Sequence, residues 1–125
     1  MRRWLSLLLL LSFLALSPAA PLHAQGVSRA PINYSYSILT KTATYSVVTT
    51  DGQNVLVLAS NTITINLYAV AGNAGKIVTV KNSGAGTITI DANASETIDG
   101  SLTQTIAAAN QTLTLVCTGS AWVLV

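Results

Sequence analysis

The chain has 125 residues, of which half are hydrophobic and only 8% are charged, with six Lys or Arg, four Asp or Glu and one His. So little charge, with a formal balance of +2, leaves no basic stripe to neutralise phosphates, and nucleic acid is excluded as an expected partner. One cysteine, Cys117, excludes an internal disulfide framework.

The N-terminus reads MRRWLSLLLLLSFLALSPAAPLHAQG. Arg2 and Arg3 form a positive start, an apolar run follows from Trp4 to Leu16, and Pro18 and Pro21 precede Leu22-His23-Ala24. This order predicts a secretory signal peptide over residues 1–24, cut after Ala24 and exported by the Sec route. The apolar run is shorter than the ~20 residues that span a bilayer, so no membrane span is expected after cleavage. The expected location is periplasmic, cell-surface or extracellular. Without the leader, the basic residues are Arg29, Lys41, Lys76 and Lys81, and the acidic ones Asp51, Asp91, Glu96 and Asp99. The mature chain is then near neutral, and it lacks histidine because His23 departs with the leader.

Residues 25–33, with Gly26 and Pro31, read as an extended arm. A single domain is expected over 34–125. Its strands are predicted from alternation of Thr with Ile, Val or Leu: Tyr34–Leu39, Ala43–Thr49, Asn54–Leu58, Thr62–Leu67, Lys76–Asn82, Thr87–Asp91, Ser101–Ile106, Gln111–Cys117 and Ala121–Val125. In this pattern Ile63, Ile65, Leu67, Ile88, Ile90, Leu113, Leu115 and Cys117 face inward. Gln104 is a polar guest on the face of Leu102 and Ile106. Turns are expected at Asp51-Gly52 and Asp99-Gly100, at Ser83–Gly86 joining two antiparallel strands, and at Gly119-Ser120 as a Gly-first hairpin. No window has helical periodicity. Close, regular strands with glycine turns predict an all-β fold, a small antiparallel β-sandwich of jelly-roll type. NTITINLYAVAGNAGKIVTV and GTITIDANASETIDGSLTQTI resemble each other and suggest two related hairpins.

Three of the four acids lie in DANASETIDG, Asp91 to Gly100. Asp91, Asn93 and Ser95 have the spacing of the first ligands in an EF-hand. Glu96 stands where that loop needs Gly, and Leu102 where it needs a bidentate Glu. A different calcium site from Asp91, Glu96 and Asp99 stays open beside a plain strand-to-strand corner, in which Ile98 plugs the core. A glycosidase pair of Glu96 and Asp99 lacks a cleft and sugar-stacking aromatics. AGNAGK has Val70 where a phosphate loop needs its first Gly, and Ile77 where it needs Ser or Thr. Ser and Thr are plentiful, but no His stands ready to activate them. The mature chain also lacks a zinc-binding set. No catalytic or cofactor-binding residue is assigned. Tyr34, Tyr36 and Ile38 alternate on one face, as core or subunit-interface packing or as a sugar-stacking surface. Trp122 is expected to anchor the C-terminal strand in the core. Cys117 reads as a small buried hydrophobe, with an intermolecular bridge as the alternative.

AGKIVTVKNSGAGTITID, SETIDG and TLTLVCTGSAWVLV carry a resemblance. Over about residues 43–125 the chain resembles small β-domains of tailed-bacteriophage tail-fibre and baseplate-associated proteins. That resemblance implies a structural, often trimeric, non-enzymatic module that contributes to surface binding. A signal peptide departs from it, since virion proteins assemble in the cytoplasm. The combined expectation is a secreted, non-enzymatic module that self-associates as a homo-oligomer, a trimer or strand-exchanged assembly, or attaches to a surface. Its alternatives are a glycan- or calcium-dependent binding module and, last, a hydrolase.

Overall fold

A computed structural model describes residues 35–125. The signal peptide, the arm and Tyr34 lie outside the described residues. Nine strands are present: β1 (Ser37–Lys41), β2 (Tyr45–Ser46), β3 (Asn54–Ala59), β4 (Ile63–Asn66), β5 (Ile77–Asn82), β6 (Ile88–Asp91), β7 (Thr103–Ile106), β8 (Thr112–Cys117) and β9 (Trp122–Leu124). A single 3-10 turn spans Thr49–Asp51. Each expected strand exists, with ends moved by a few residues. Among the described residues no helix is long and apolar enough to cross a membrane.

The strands form two sheets, sheet A in the order β1-β3-β5-β8-β9 and sheet B in the order β2-β4-β6-β7. From β1 to β6 the chain alternates between them. β1, β3 and β5 are therefore parallel neighbours in sheet A, and β2, β4 and β6 in sheet B. Only the last three strands pair antiparallel, β6 with β7, β5 with β8 and β8 with β9. The fold is all-β, but its sheets are mixed, so the expected wholly antiparallel arrangement does not describe it. Parallel neighbours need a long crossover, which a helix usually supplies. Here each crossover is a strand of the opposite sheet, and the chain winds as a flattened coil.

The same winding corrects two local expectations. Ser83–Gly86 carries the chain from β5 in sheet A to β6 in sheet B, and does not join an antiparallel pair. The two Thr-Ile-Thr-Ile segments are not the first arms of two hairpins. They are β4 and β6, stacked side by side with Ile63 opposite Ile88 and Ile65 opposite Ile90.

Inward residues of both sheets meet in one core, which includes Val55, Val57, Val78, Val80 and Leu115 from sheet A and Ile65, Ile88, Ile90 and Ile106 from sheet B. Burying each such side chain contributes roughly 1.5–3 kcal/mol. Trp122, Ile98 and Cys117 are buried among them, as expected. Leu102 is not, since it stays 55% exposed. The polar guest Gln104 donates from Nε2 to the Ile98 carbonyl at 3.3 Å, which explains its tolerance on an inward face.

The coil's corners stack as tightly as its strands. Ser60 N–H donates to the Lys41 carbonyl, and Ser83 N–H to the Ala59 carbonyl, so the ladder runs on around the turn. Gly86, at φ +106°, lies so close that a Cβ there would sit 2.7 Å from the Asn61 carbonyl carbon. Asn82 closes this corner from inside the core. Fully buried, it donates from Nδ2 to the carbonyls of Gly86 at 2.8 Å and Ile106 at 3.2 Å, and accepts from Gly84 N–H at 3.2 Å. One side chain thus ties β5 to the turn before β6 and to the end of β7.

Asn82→Ala removes a buried bond to the Ile106 carbonyl and partly buried bonds to Gly86 and Gly84, and a loss of about 1–3 kcal/mol is expected. Urea unfolding of the variant and parent checks it through the shift in midpoint at constant m-value.

Candidate functional site

The acidic corner is built from the end of β6 and the segment leading to β7. Asp99 and Gly100, at φ +48° and +85°, form the centre of a tight turn. Ile98 and Ser101 flank it and exchange hydrogen bonds at 2.7 and 3.0 Å. Two positive φ values are the signature of the Asp-Gly hairpin turn, so the turn expected here is present.

Two carboxylates of this region, Glu96 and Asp99, serve different pieces of backbone. Glu96 accepts from Val70 N–H with both oxygens, at 3.0 and 3.2 Å. Asp99 accepts from Leu124 N–H at 3.3 Å. Asp91 ends β6, opposite Asn66 and Thr103, with its side chain half-buried on the outer face. Among the described residues, no group of three or more His, Cys, Asp or Glu is placed to hold a metal ion. The structure therefore does not gather Asp91, Glu96 and Asp99 into one ligand set. Thr97 and Asp99 instead cover the outer edge of β9, because Trp122 N–H donates to the Thr97 carbonyl and Asp99 N–H to the Trp122 carbonyl. Covering an edge removes a template for unwanted strand pairing.

Asp51, the fourth acid, has the same kind of duty. Its carboxylate accepts from Val48 N–H at 2.8 Å and from the Tyr45 hydroxyl at 3.0 and 3.2 Å. Lys41 Nζ lies 3.6 Å from the centre of the Tyr45 ring, a cation–π contact on the other side. Burial, then the hydrogen bond and charge of Asp51, raise the Tyr45 pKa above its ordinary value.

A second polar cluster escaped the sequence reading. Tyr68 packs edge-on against Trp122 with ring centres 5.2 Å apart. The Tyr68 hydroxyl and Trp122 Nε1 are both buried without a hydrogen-bond partner among the described residues. Cys117 lies beside them, its thiol donating to the Val70 carbonyl at 3.5 Å. Cys117 is 1% exposed, which fits the buried-hydrophobe reading. Burial, and then Cys117, push the Tyr68 pKa up to about 12. An open depression of about 210 Å³ lies elsewhere, lined by Thr105, Ile106, Gln111, Thr112 and Leu113. None of these five side chains is a strong acid, base or metal ligand.

The outer face of sheet A carries many apolar side chains. Register places Ile38, Leu56, Thr79 and Thr114 in one row, which Val125 extends by donating its N–H to the Thr114 carbonyl. The adjoining row holds Asn54, Ile77, Val116 and Val123, and a third holds Thr40, Leu58, Lys81 and Thr112. Lys81 is the one charged residue in these three rows. Thr79 and Thr114 share a hydroxyl–hydroxyl hydrogen bond at 3.3 Å, which softens the polar middle of the first row. Ile38 and Val125, at its two ends, are 62% and 78% exposed. Tyr36, two residues before Ile38, is 44% exposed. The Tyr36–Ile38 stripe thus lies on the outside of sheet A, and not in the core of this chain. Comparison with known proteins found no matching family model, no matching curated protein and no matching solved structure.

Two outcomes follow from the cluster chemistry. Glu96→Ala leaves the Val70 N–H without its acceptor and is expected to lower stability by about 1–3 kcal/mol, read from urea midpoints. Repeating the melts with calcium tests the alternative role, because a calcium-dependent rise in the parent, lost in Asp91→Ala, would reveal a shared site. For Tyr68, the folded-state pKa exceeds the ordinary value near 10. The unfolded chain therefore releases this proton first, and stability is expected to fall as pH rises from about 10 to about 12. Tyr68→Phe should flatten that fall, with Tyr45 supplying the remainder. At neutral pH it should leave stability unchanged or higher, since it deletes an unpaired buried hydroxyl.

Proposed function

We propose that this protein is a secreted, non-enzymatic structural module that works by self-association. The observation that carries the reading is the outer face of sheet A. Its rows combine Ile38, Leu56, Ile77, Val116, Val123 and Val125 with a single charge, Lys81. Ile38 and Val125 are exposed and the others partly so, and an apolar face of this kind marks an interaction surface. Two sheets pack face to face when their inner rows interdigitate, and a second copy offers the same rows in self-complementary form. β1, the end strand of sheet A, offers a further route by strand addition.

The resemblance of residues 43–125 to phage tail-fibre domains points the same way, toward a structural role and a homo-oligomer. A secreted location agrees with the leader pattern at residues 1–24. The jelly-roll comparison survives only as a description of two facing sheets with a common core. Attachment to a surface is then the task of the assembled module, with other faces left for it.

Size-exclusion chromatography with light scattering tests this reading. The parent protein is expected to elute as an oligomer. The exposed pair Ile38→Lys and Val125→Lys should weaken association about tenfold or more, equivalent to about 1.4 kcal/mol, while the melting temperature of the fold is retained. A parent that stays strictly monomeric at high concentration would refute self-association.

A further inference from the structure

Sheet B presents a different outer face from sheet A. Register places Thr64, Thr89 and Thr105 side by side on β4, β6 and β7. Thr44 joins the end of this row, since its Oγ1 accepts from Thr64 N–H at 3.3 Å. Thr62 and Thr87, each just before the start of its strand, lie two residues earlier, one step before the Ile63–Ile88 pairing, and begin a second row. Ser46, Asn66, Asp91 and Thr103 make the third.

The array is two-dimensional. Neighbouring strands set a repeat of about 4.8 Å in one direction, and alternate residues one of about 6.6 Å in the other. These two repeats lie near the oxygen–oxygen repeats on the prism face of hexagonal ice. Threonine suits such a lattice physically. Its β-branched side chain is stiff at χ1, so holding it in place loses little entropy. Each side chain offers a methyl group around which water can order and a hydroxyl that can join the lattice. Among the described residues, no hydrogen bond occupies the hydroxyls of Thr62, Thr64, Thr87, Thr89 or Thr105.

Charge sorts the possible occupants. The two threonine rows carry no charge, matching an uncharged lattice, and Asp91 stands in the third row at the margin. No aromatic side chain lies in these rows to stack on a sugar, and none of the large apolar anchors of a protein interface is present. We propose that the threonine face of sheet B binds ice, through the two rows centred on Thr64 and Thr89. This activity is separate from self-association, which uses the opposite sheet.

Nanolitre osmometry and partition of the purified protein into slowly growing ice test the proposal. Faceted crystals, a freezing gap that widens with protein concentration and enrichment in the ice fraction are expected. Thr89→Tyr, at the centre of the rows, should abolish the gap, and Ala109→Tyr, on an exposed turn, should preserve it. Circular dichroism accompanies each variant. If Thr89→Tyr fails to fold, Thr105→Tyr on the outermost strand decides, and loss of the gap in that folded variant supports the proposal. Ice growth indistinguishable from that in an equal concentration of serum albumin overturns it. So does an undiminished gap in folded Thr105→Tyr. Light scattering on the same samples separates this result from that of self-association.

Discussion

A buried asparagine sets the terms for the rest of this molecule. Asn82 ends β5 in sheet A, yet its side chain binds carbonyls that belong to the corner before β6 and to the end of β7 in sheet B. A coil that crosses between two sheets must turn its backbone at every corner, and the polar groups there need partners. Left alone, each would carry a desolvation penalty of about 1–3 kcal/mol. Asn82 satisfies two of them and receives a third bond from Gly84 N–H. With that corner closed, Gly86 can approach the Asn61–Thr62 backbone closely enough for successive turns to stack.

Stacking has a consequence for the surface. In a parallel coil the same phase of each turn lands beside its counterpart, so a repeated dipeptide becomes a row. Thr-Ile-Thr-Ile, used twice, places isoleucine against isoleucine in the core and threonine against threonine outside. On sheet A the outward phase is instead apolar, with Leu56 and Leu58 on β3 and Ile77 on β5. One module thus carries two chemically opposite outer faces. An antiparallel jelly roll with the same composition would have scattered those positions among different neighbours.

Acid density left two alternatives open for Asp91 to Gly100, for a physical reason. A carboxylate that caps backbone and one that binds a cation use the same residue types, and both favour turns. The direction in which the oxygens point decides between them, and sequence spacing does not encode it. Glu96 reaches Val70, 26 positions away, and Asp99 reaches Leu124, 25 positions away. These are contacts across the fold. Ile98-Asp99-Gly100, by contrast, was legible, because a turn with two positive φ values depends on local residues alone.

Features that depend on near neighbours are written in the residues themselves. The alternation of Thr with Ile, Leu and Val placed every strand and the inward residues Ile63, Ile65, Ile88, Ile90, Leu115 and Cys117. Glycine and Asp-Gly pairs marked the turns, and Ile98 and Trp122 were recognisable as core anchors. Tertiary structure alone decided which strand lies beside which. A short glycine-rich connection serves equally well as a hairpin within one sheet or as a corner between two, so Ser83–Gly86 gave no sign of its role. That choice fixed the parallel pairing, the two outer faces and the separate duties of the carboxylates. Leu102 shows the same limit on a small scale. Its phase matched Gln104 and Ile106, but it lies just before the start of β7, where the strand does not yet hold it over the core.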